Sequence, residues 1–138
     1  MRITPFNMNI TPYTESLFRI AALTHEDMLA SSLTLPLEIL TGAAQALGRA
    51  GRQRLSTDCF SQAGGPLTIQ SGLTLATRPL SELTQADLLI VPAIWRQPQR
   101  VLHRHPEQIA VIEQHVGAGG LTISVGSGSF LLAETEHM

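Results

Sequence analysis

The sequence predicts an α/β fold, a three-layer α/β/α sandwich built on a mainly parallel sheet. Strand-like apolar runs lie at residues 17–23, 86–92 and 121–125. Segments whose apolar residues recur at helical spacing separate them, at 37–47 and 106–116. Strands that alternate with helices are typical of a parallel sheet that is covered by helices on both faces.

The first helix is predicted from a loop at 24–32 and the apolar spacing that follows it. Thr34 and Pro36 are start signals, because both residue types are common at the first positions of helices. Gly48 or Gly51 is the predicted stop.

The middle of the chain predicts a second strand, a short hairpin and a central strand. Residues 55–62 form the second strand, and runs at 67–70 and 73–76 flank a Ser-Gly turn at 71–72. The apolar run 86–92 has the length and composition of a buried parallel strand.

The last part predicts a helix followed by a strand and a sharp turn. The helix at 106–116 has Pro106 in its first turn, and His105 is its predicted cap. The strand 121–125 then runs directly into Gly-Ser-Gly and a second apolar, helix-like segment. A strand, a sharp turn and a helix in this order form the elbow at which α/β folds often place a nucleophile.

Composition limits the class of protein. The 138 residues predict one domain at 16–138, preceded by a polar, flexible tail at 1–15, and the hydrophobic content of 43% is that of a globular protein. The net charge is −2 and no basic stripe is present, which argues against a nucleic-acid surface. The single Cys59 rules out an internal disulfide and suggests a reducing, cytoplasmic location. No run predicts a signal peptide or a membrane span.

The elbow carries a family resemblance. Residues 125–134 read Val-Gly-Ser-Gly-Ser-Phe-Leu-Leu-Ala-Glu. This resembles the Val-Cys-Thr-Gly-Ala-Phe and Leu-Leu-Ala-Glu pattern of the ThiJ/PfpI, or class I glutamine amidotransferase-like, superfamily. It is most similar to the branch that forms the N-terminal domain of AraC-type transcriptional regulators. Pro-Leu-Glu at 36–38 and Val-Pro at 91–92 fit the same pattern. The resemblance implies a flavodoxin-like fold.

The chain departs from that pattern at the catalytic positions. The family's cysteine falls on Gly126, and its acidic residue, four positions before the helix proline, falls on Ser32. Ala93 and Ile94 replace a Gly-Gly pair. The resemblance therefore implies a domain that is not an enzyme. Ser127 is a weak candidate nucleophile, because its side chain is expected to point away from the strand ends.

The same positions predict a ligand site. In α/β sheets, ligands bind at the carboxyl ends of the strands, and Trp95 could form one wall of such a pocket. Free backbone N–H groups at the elbow are an alternative way to bind an anion. The predicted ligand-binding residues are Ser32, Ala93, Ile94, Trp95, Gly126, Ser127 and Gly128.

The resemblance implies an effector-sensing or dimerisation domain of an AraC-type regulator. The implied partners are an unknown small-molecule effector and a second copy of the chain. DNA would be contacted only by a C-terminal domain that is not in this chain. In the family, the domain itself continues after Leu-Leu-Ala-Glu into further strands and a helix, so here it is expected to be truncated after the elbow, with Phe130, Leu131 and Leu132 less covered. The alternatives are a ThiJ/PfpI-type hydrolase or glyoxalase-like enzyme with an unconventional nucleophile, and a binding or scaffolding domain.

No cofactor or metal is expected from the sequence. His25 lies beside Glu26 and Asp27, and His105 lies far along the chain, but spacing alone does not bring them together. Arg96, Arg100 and Arg104 are spaced by four but interrupted by Pro98, which favours a solvated surface. Cys59 is interpreted as inert packing.

Overall fold

The computed structural model describes residues 17–48 and 54–135. The predicted tail at 1–15 lies outside these ranges. The strands are β1 (Leu17–Leu23), β2 (Arg54–Ser61), β3 (Gly65–Thr68), β4 (Thr74–Pro79), β5 (Leu88–Val91) and β6 (Leu121–Ser124). The helices are α1 (Ser31–Gly48), α2 (Pro98–Arg104), α3 (Pro106–Gly117) and α4 (Ser129–Ala133).

The strands form one sheet in the order β3-β4-β2-β1-β5-β6. Every neighbouring pair is parallel except β3 and β4, which form the antiparallel hairpin. The mainly parallel sheet predicted from the sequence is therefore confirmed. Strands β2, β4 and β3 lie on one side of β1, whereas β5 and β6 lie on its other side. This reversal creates a crevice between the carboxyl ends of β1 and β5, where doubly wound sheets hold their ligands.

Alternation along the central strands produces the two apolar layers. Ile20 and Ala22 pack with Leu33 of α1 on one face of the sheet. Ala21 and Leu23 pack on the other face, with buried residues of α2, α3 and α4. The helices thus cover both faces, which confirms the three-layer sandwich.

Helix α1 differs from its predicted start. It begins at Ser31, because the carbonyl of Ala30 already accepts the N–H of Thr34 at 2.9 Å. Pro36 consequently lies inside the helix rather than at its beginning. The described part of the helix runs to Gly48, and the alternative stop at Gly51 lies outside the described residues.

Helix α2 differs from the sequence prediction, in which Pro98 interrupts the spacing of the arginines. Pro98 is instead the first residue of the helix, a position where its missing N–H costs nothing. Gln97 precedes it in a left-handed conformation with φ of 57°. Arg100 and Arg104 therefore lie on consecutive turns of one helix.

The expectation of an uncovered elbow helix is only partly correct. Phe130 is 46% exposed, but Leu131 is 1% exposed and packs with Val101 and Ile112. Strand β6 pairs with β5 and, within the described residues, lies at the edge of the sheet. Among those residues no helix is both long and apolar enough to cross a membrane.

Candidate functional site

The predicted elbow is present as a sharp turn between a strand and a helix. A single 3₁₀ turn, Gly126–Gly128, joins β6 to α4. Gly126 has φ of +50°, a left-handed conformation that side chains rarely adopt. A Cβ built there would meet only the Cβ of Ala93, at 3.8 Å. There is room for a side chain at this position, although the sequence supplies none.

Gly128 has a different structural role. A Cβ at this residue would overlap the carbonyl oxygens of Pro92 and Val91. The end of β5 can therefore approach the elbow closely only because residue 128 has no side chain.

Two serine hydroxyls accept hydrogen bonds from the backbone N–H groups that follow β5. Ser32 Oγ accepts the N–H of Ala93 at 2.8 Å and donates to the carbonyl of Leu29 at 2.6 Å. Ser127 Oγ accepts the N–H of Ile94 at 2.8 Å and donates to the carbonyl of Ile94 at 3.0 Å. The expectation that Ser127 points away was wrong, because its hydroxyl satisfies both polar groups of one residue in the loop after β5.

Main-chain hydrogen bonds join three loops at the carboxyl end of the sheet. The Trp95 N–H donates to the carbonyl of Asp27 at 2.6 Å. The Leu29 N–H donates to the carbonyl of Ala93 at 2.9 Å, and the Gln70 N–H to that of Glu26 at 2.9 Å. The hairpin loop is thereby fixed beside the β1–β5 crevice.

Two adjoining clefts open at this junction, and Gln70, Trp95 and Arg96 line both of them. One has a volume of about 260 Å³ and also includes Asp27 and Arg100. The other, of about 270 Å³, is more apolar and extends toward Met28, Leu29 and Ala30.

Trp95 is the predicted site residue that lies at the opening. Its side chain is 49% exposed, and the guanidinium of Arg96 lies 5.7 Å from its ring centroid. Ser32 and Ser127 instead hydrogen-bond the backbone of Ala93 and Ile94 in the adjacent loop, and these four residues line neither cleft. Gln70 was missed by sequence reasoning because it lies in a hairpin turn, and only the tertiary fold places that turn beside Trp95.

A buried carboxylate organises the charged side of the clefts. Asp27 Oδ1 accepts a hydrogen bond from Gln70 Nε2 at 3.1 Å. Arg100 Nη2 lies 3.8 Å from Asp27 Oδ1, and Arg104 Nη1 lies 3.7 Å from Oδ2. The prediction that these arginines form only a solvated surface is therefore corrected. Both are half-exposed, but α2 directs them toward Asp27.

Two histidines, His25 and His105, stack on each other next to Asp27. The sequence did not indicate this contact. The ring centroids of His25 and His105 are 5.2 Å apart, and His105 Nε2 lies 3.2 Å from Glu26 Oε1. Burial lowers the pKa of His25 to about 4, and repulsion by His105 acts in the same direction, against the attraction of Asp27 and Glu26. His105 occupies the cap position of α3, but its side chain makes no capping hydrogen bond. Its ring stacks instead on His25, in the loop that follows β1.

Cys59 lies apart from this site, on β2. Its thiol is partly buried, and burial raises its pKa, with a further contribution from the charge of Asp58. A raised pKa disfavours the reactive thiolate, which fits a packing role.

Comparison with solved structures identifies the fold. The chain is similar to a proposed transcriptional regulator from Vibrio parahaemolyticus, with a TM-score of 0.74 and 21% identity over 88% of this chain and 63% of that one. It is similar to an AraC family transcriptional regulator from Pseudomonas putida, with a TM-score of 0.70 and 20% identity over 86% of this chain and 61% of that one. A DJ-1 superfamily protein from Agrobacterium tumefaciens gives a TM-score of 0.60 and 18% identity over 86% and 58%.

These solved structures are longer than the chain, which spans about three fifths of their length. No protein-family model and no curated protein matches the sequence. The chain therefore has the α/β fold that these two transcriptional regulators and this DJ-1 superfamily protein share, which is the fold implied by the ThiJ/PfpI resemblance of its elbow.

Proposed function

We propose that the chain is a non-catalytic, effector-sensing domain of an AraC-type transcriptional regulator, in which DNA is bound by a different part of the protein. One observation carries the proposal. The elbow has a glycine at the nucleophile position, and serine hydroxyls already occupy the two amides beside it. The scaffold of an active site is thus kept while its reactive groups are replaced by groups that bind one another.

The arrangement around Ser127 argues against the enzyme alternative. A serine nucleophile needs a base that accepts its proton and an unobstructed path to the substrate. The Ser127 hydroxyl donates to the Ile94 carbonyl and accepts from the Ile94 N–H. Attack on a substrate would break both hydrogen bonds.

The clefts beside Trp95 suggest the chemistry of the effector. Arg96 and Arg100 supply positive charge, and Gln70 supplies an amide. The exposed Trp95 ring offers an apolar surface, while the neighbouring cleft reaches Met28. These groups suit a small molecule that carries a carboxylate or another anion next to a flat or aliphatic body.

Trp95 also provides the test, because it is the only tryptophan in the chain. Its fluorescence should change saturably on titration with one or more small carboxylates from a panel of succinate, glutamate, benzoate and indole-3-acetate. Arg96→Gln should weaken that response at least about tenfold, since a charge-assisted hydrogen bond is lost. Arg19→Gln removes the same charge from an exposed position on β1 and serves as the matched control.

Two results would count against the sensing role. One is a ligand that binds with unchanged affinity to Arg96→Gln and leaves Trp95 emission unaffected. The other is turnover of amides or glyoxals by the folded protein that disappears in Ser127→Ala, which would favour the enzyme.

Dimerisation is the second part of the proposal. Leu35 and Ile39 are 58% and 63% exposed and lie one turn apart on α1, so they form an apolar strip. We expect the strip to lie at a contact between two copies of the chain. Sedimentation should show a dimer that Leu35→Glu dissociates, and a monomer at all concentrations would refute this part.

A further inference from the structure

The unsatisfied polar atoms of the core are concentrated in one place. Within the described residues, the buried side-chain nitrogen and oxygen atoms without a hydrogen-bond partner belong, apart from Thr122 Oγ1, to five neighbouring side chains. Orphaned polar atoms are costly in a protein interior, so such a concentration calls for a bound group. The five residues are His25, Glu26, Asp27, His105 and Gln108.

We propose that His25, Glu26 and His105 bind a divalent metal ion of the zinc type. This proposal concerns a site behind the Trp95 clefts and does not depend on the effector. It also revises the expectation from the sequence that the domain holds no metal. Two imidazoles and one carboxylate are a donor set that Zn²⁺ accepts, with a fourth position left for water or another ligand.

The ligand atoms lie near enough to one another to converge on one ion. The three ligand atoms lie within 4.8 Å of one another. Tetrahedral coordination at metal–ligand distances of about 2.1 Å separates ligand atoms by roughly 3.4 Å. His105 Nε2 and Glu26 Oε1 are already 3.2 Å apart without forming a hydrogen bond. The ring centroids of the two histidines are 5.2 Å apart and the rings are stacked with an interplanar angle of 29°, so a small rotation of the rings would have to accompany binding.

Neighbouring contacts hold the two histidines in place and leave a path for the ion to enter. Gln108 Nε2 donates to the carbonyl of Thr24 at 2.8 Å, which anchors α3 to the end of β1 and fixes His105 relative to His25. Both histidines are buried, whereas the Glu26 side chain is 44% exposed. An ion can therefore enter past Glu26 and be held by two fixed rings.

The hydrogen bond that His25 accepts links zinc binding to Trp95. The Asp27 N–H donates to His25 Nδ1 at 3.2 Å, so the proton of the neutral ring is on Nε2. Coordination through Nε2 moves that proton to Nδ1, and the Asp27 amide must then turn away. The backbone carbonyl of Asp27 accepts the backbone N–H of Trp95 at 2.6 Å. A movement of Asp27 on zinc binding should therefore also change Trp95 fluorescence.

The test uses untagged full-length chain that has been stripped with a chelator and titrated with Zn²⁺ against a chromophoric competitor. We expect one ion per chain, bound in the micromolar range or more tightly. His105→Asn and Glu26→Gln should each weaken binding by at least about tenfold. His103→Asn removes an exposed histidine two residues away and should leave the affinity unchanged. Because the Glu26 side chain is partly exposed, Glu26→Gln should fold normally and tests the site even if a histidine variant misfolds.

Substituting Co²⁺ for zinc separates ligation from a structural effect. Four-coordinate cobalt should give intense visible absorption bands, and these should be lost or shifted in Glu26→Gln but retained in His103→Asn. Zinc saturation only at millimolar concentration would overturn the proposal. So would equal affinity in all three variants, and in either case buried water would be the group that satisfies these atoms.

Discussion

Two alanine substitutions at the elbow, only two residues apart, should have very different effects on stability. At Gly128 a Cβ would overlap the carbonyl oxygens of Pro92 and Val91, which are backbone atoms that cannot move independently of β5. Overpacking of this kind costs typically 1–3 kcal/mol and occasionally more, and here we expect about 3 kcal/mol or more. At Gly126 the added Cβ would lie 3.8 Å from the Cβ of Ala93, an ordinary van der Waals distance. The destabilisation by Gly126→Ala therefore comes from the left-handed φ of +50°. That cost is about 1–2 kcal/mol, and it is partly offset by reduced freedom of the unfolded chain.

Urea denaturation of the wild type and the two variants measures this difference directly. Gly128→Ala should lower the free energy of unfolding by about 2 kcal/mol more than Gly126→Ala does, with similar m-values. Equal losses, or a larger loss for Gly126→Ala, would refute the placement of the elbow against the end of β5. A tolerated side chain at 126 would also mean that the site lacks a nucleophile through its sequence and not through its shape.

Three further outcomes follow from the site and the core. Ser127→Ala leaves the N–H and carbonyl of Ile94 without their partner and should cost about 1–3 kcal/mol in urea denaturation, so an unchanged midpoint would contradict the hydrogen-bond assignment. His25 has its pKa lowered from 6.5 to about 4 by burial, so between these pH values the unfolded chain binds a proton that the folded chain does not. Metal-free protein should therefore lose up to about 3 kcal/mol as the pH falls through this window, and a profile identical to that of His25→Gln would exclude His25 as the cause. Cys59 has a raised pKa, so iodoacetamide at pH 8 should label it much more slowly in the folded protein than in urea, and equal rates would contradict its burial.

The sequence was sufficient for those parts of the fold that depend on local pattern. The apolar run of residues 17–23 predicted β1 with its observed bounds, and the apolar run at 86–92 predicted a central parallel strand, observed at Leu88–Val91. The Gly-Ser-Gly motif predicted the elbow because a sharp turn between a strand and a helix needs residues without bulky side chains. Pro98 was misleading, since proline both interrupts helices and begins them, and only the chain geometry decides between these roles.

The candidate site was only partly predictable for a similar reason. Ser32, Ala93 and Ser127 were selected by their positions in a motif, and the structure brings them into hydrogen-bonded contact with the loop after β5. Gln70 and His105 carry no comparable local signal. They reach the crevice through the hairpin loop and the packing of α3, which are long-range features of the fold.

The central claim is that this domain binds a small molecule beside Trp95 while the elbow stays chemically inactive. A crystal structure of the domain with a ligand identified by Trp95 fluorescence tests it most directly. We expect the ligand to contact Trp95, Arg96 and Gln70, with the hydrogen bonds from the Ala93 and Ile94 amides to Ser32 and Ser127 intact. A ligand oxygen on those two amides with the serine hydroxyls displaced, or a covalent adduct on Ser127, would contradict the account.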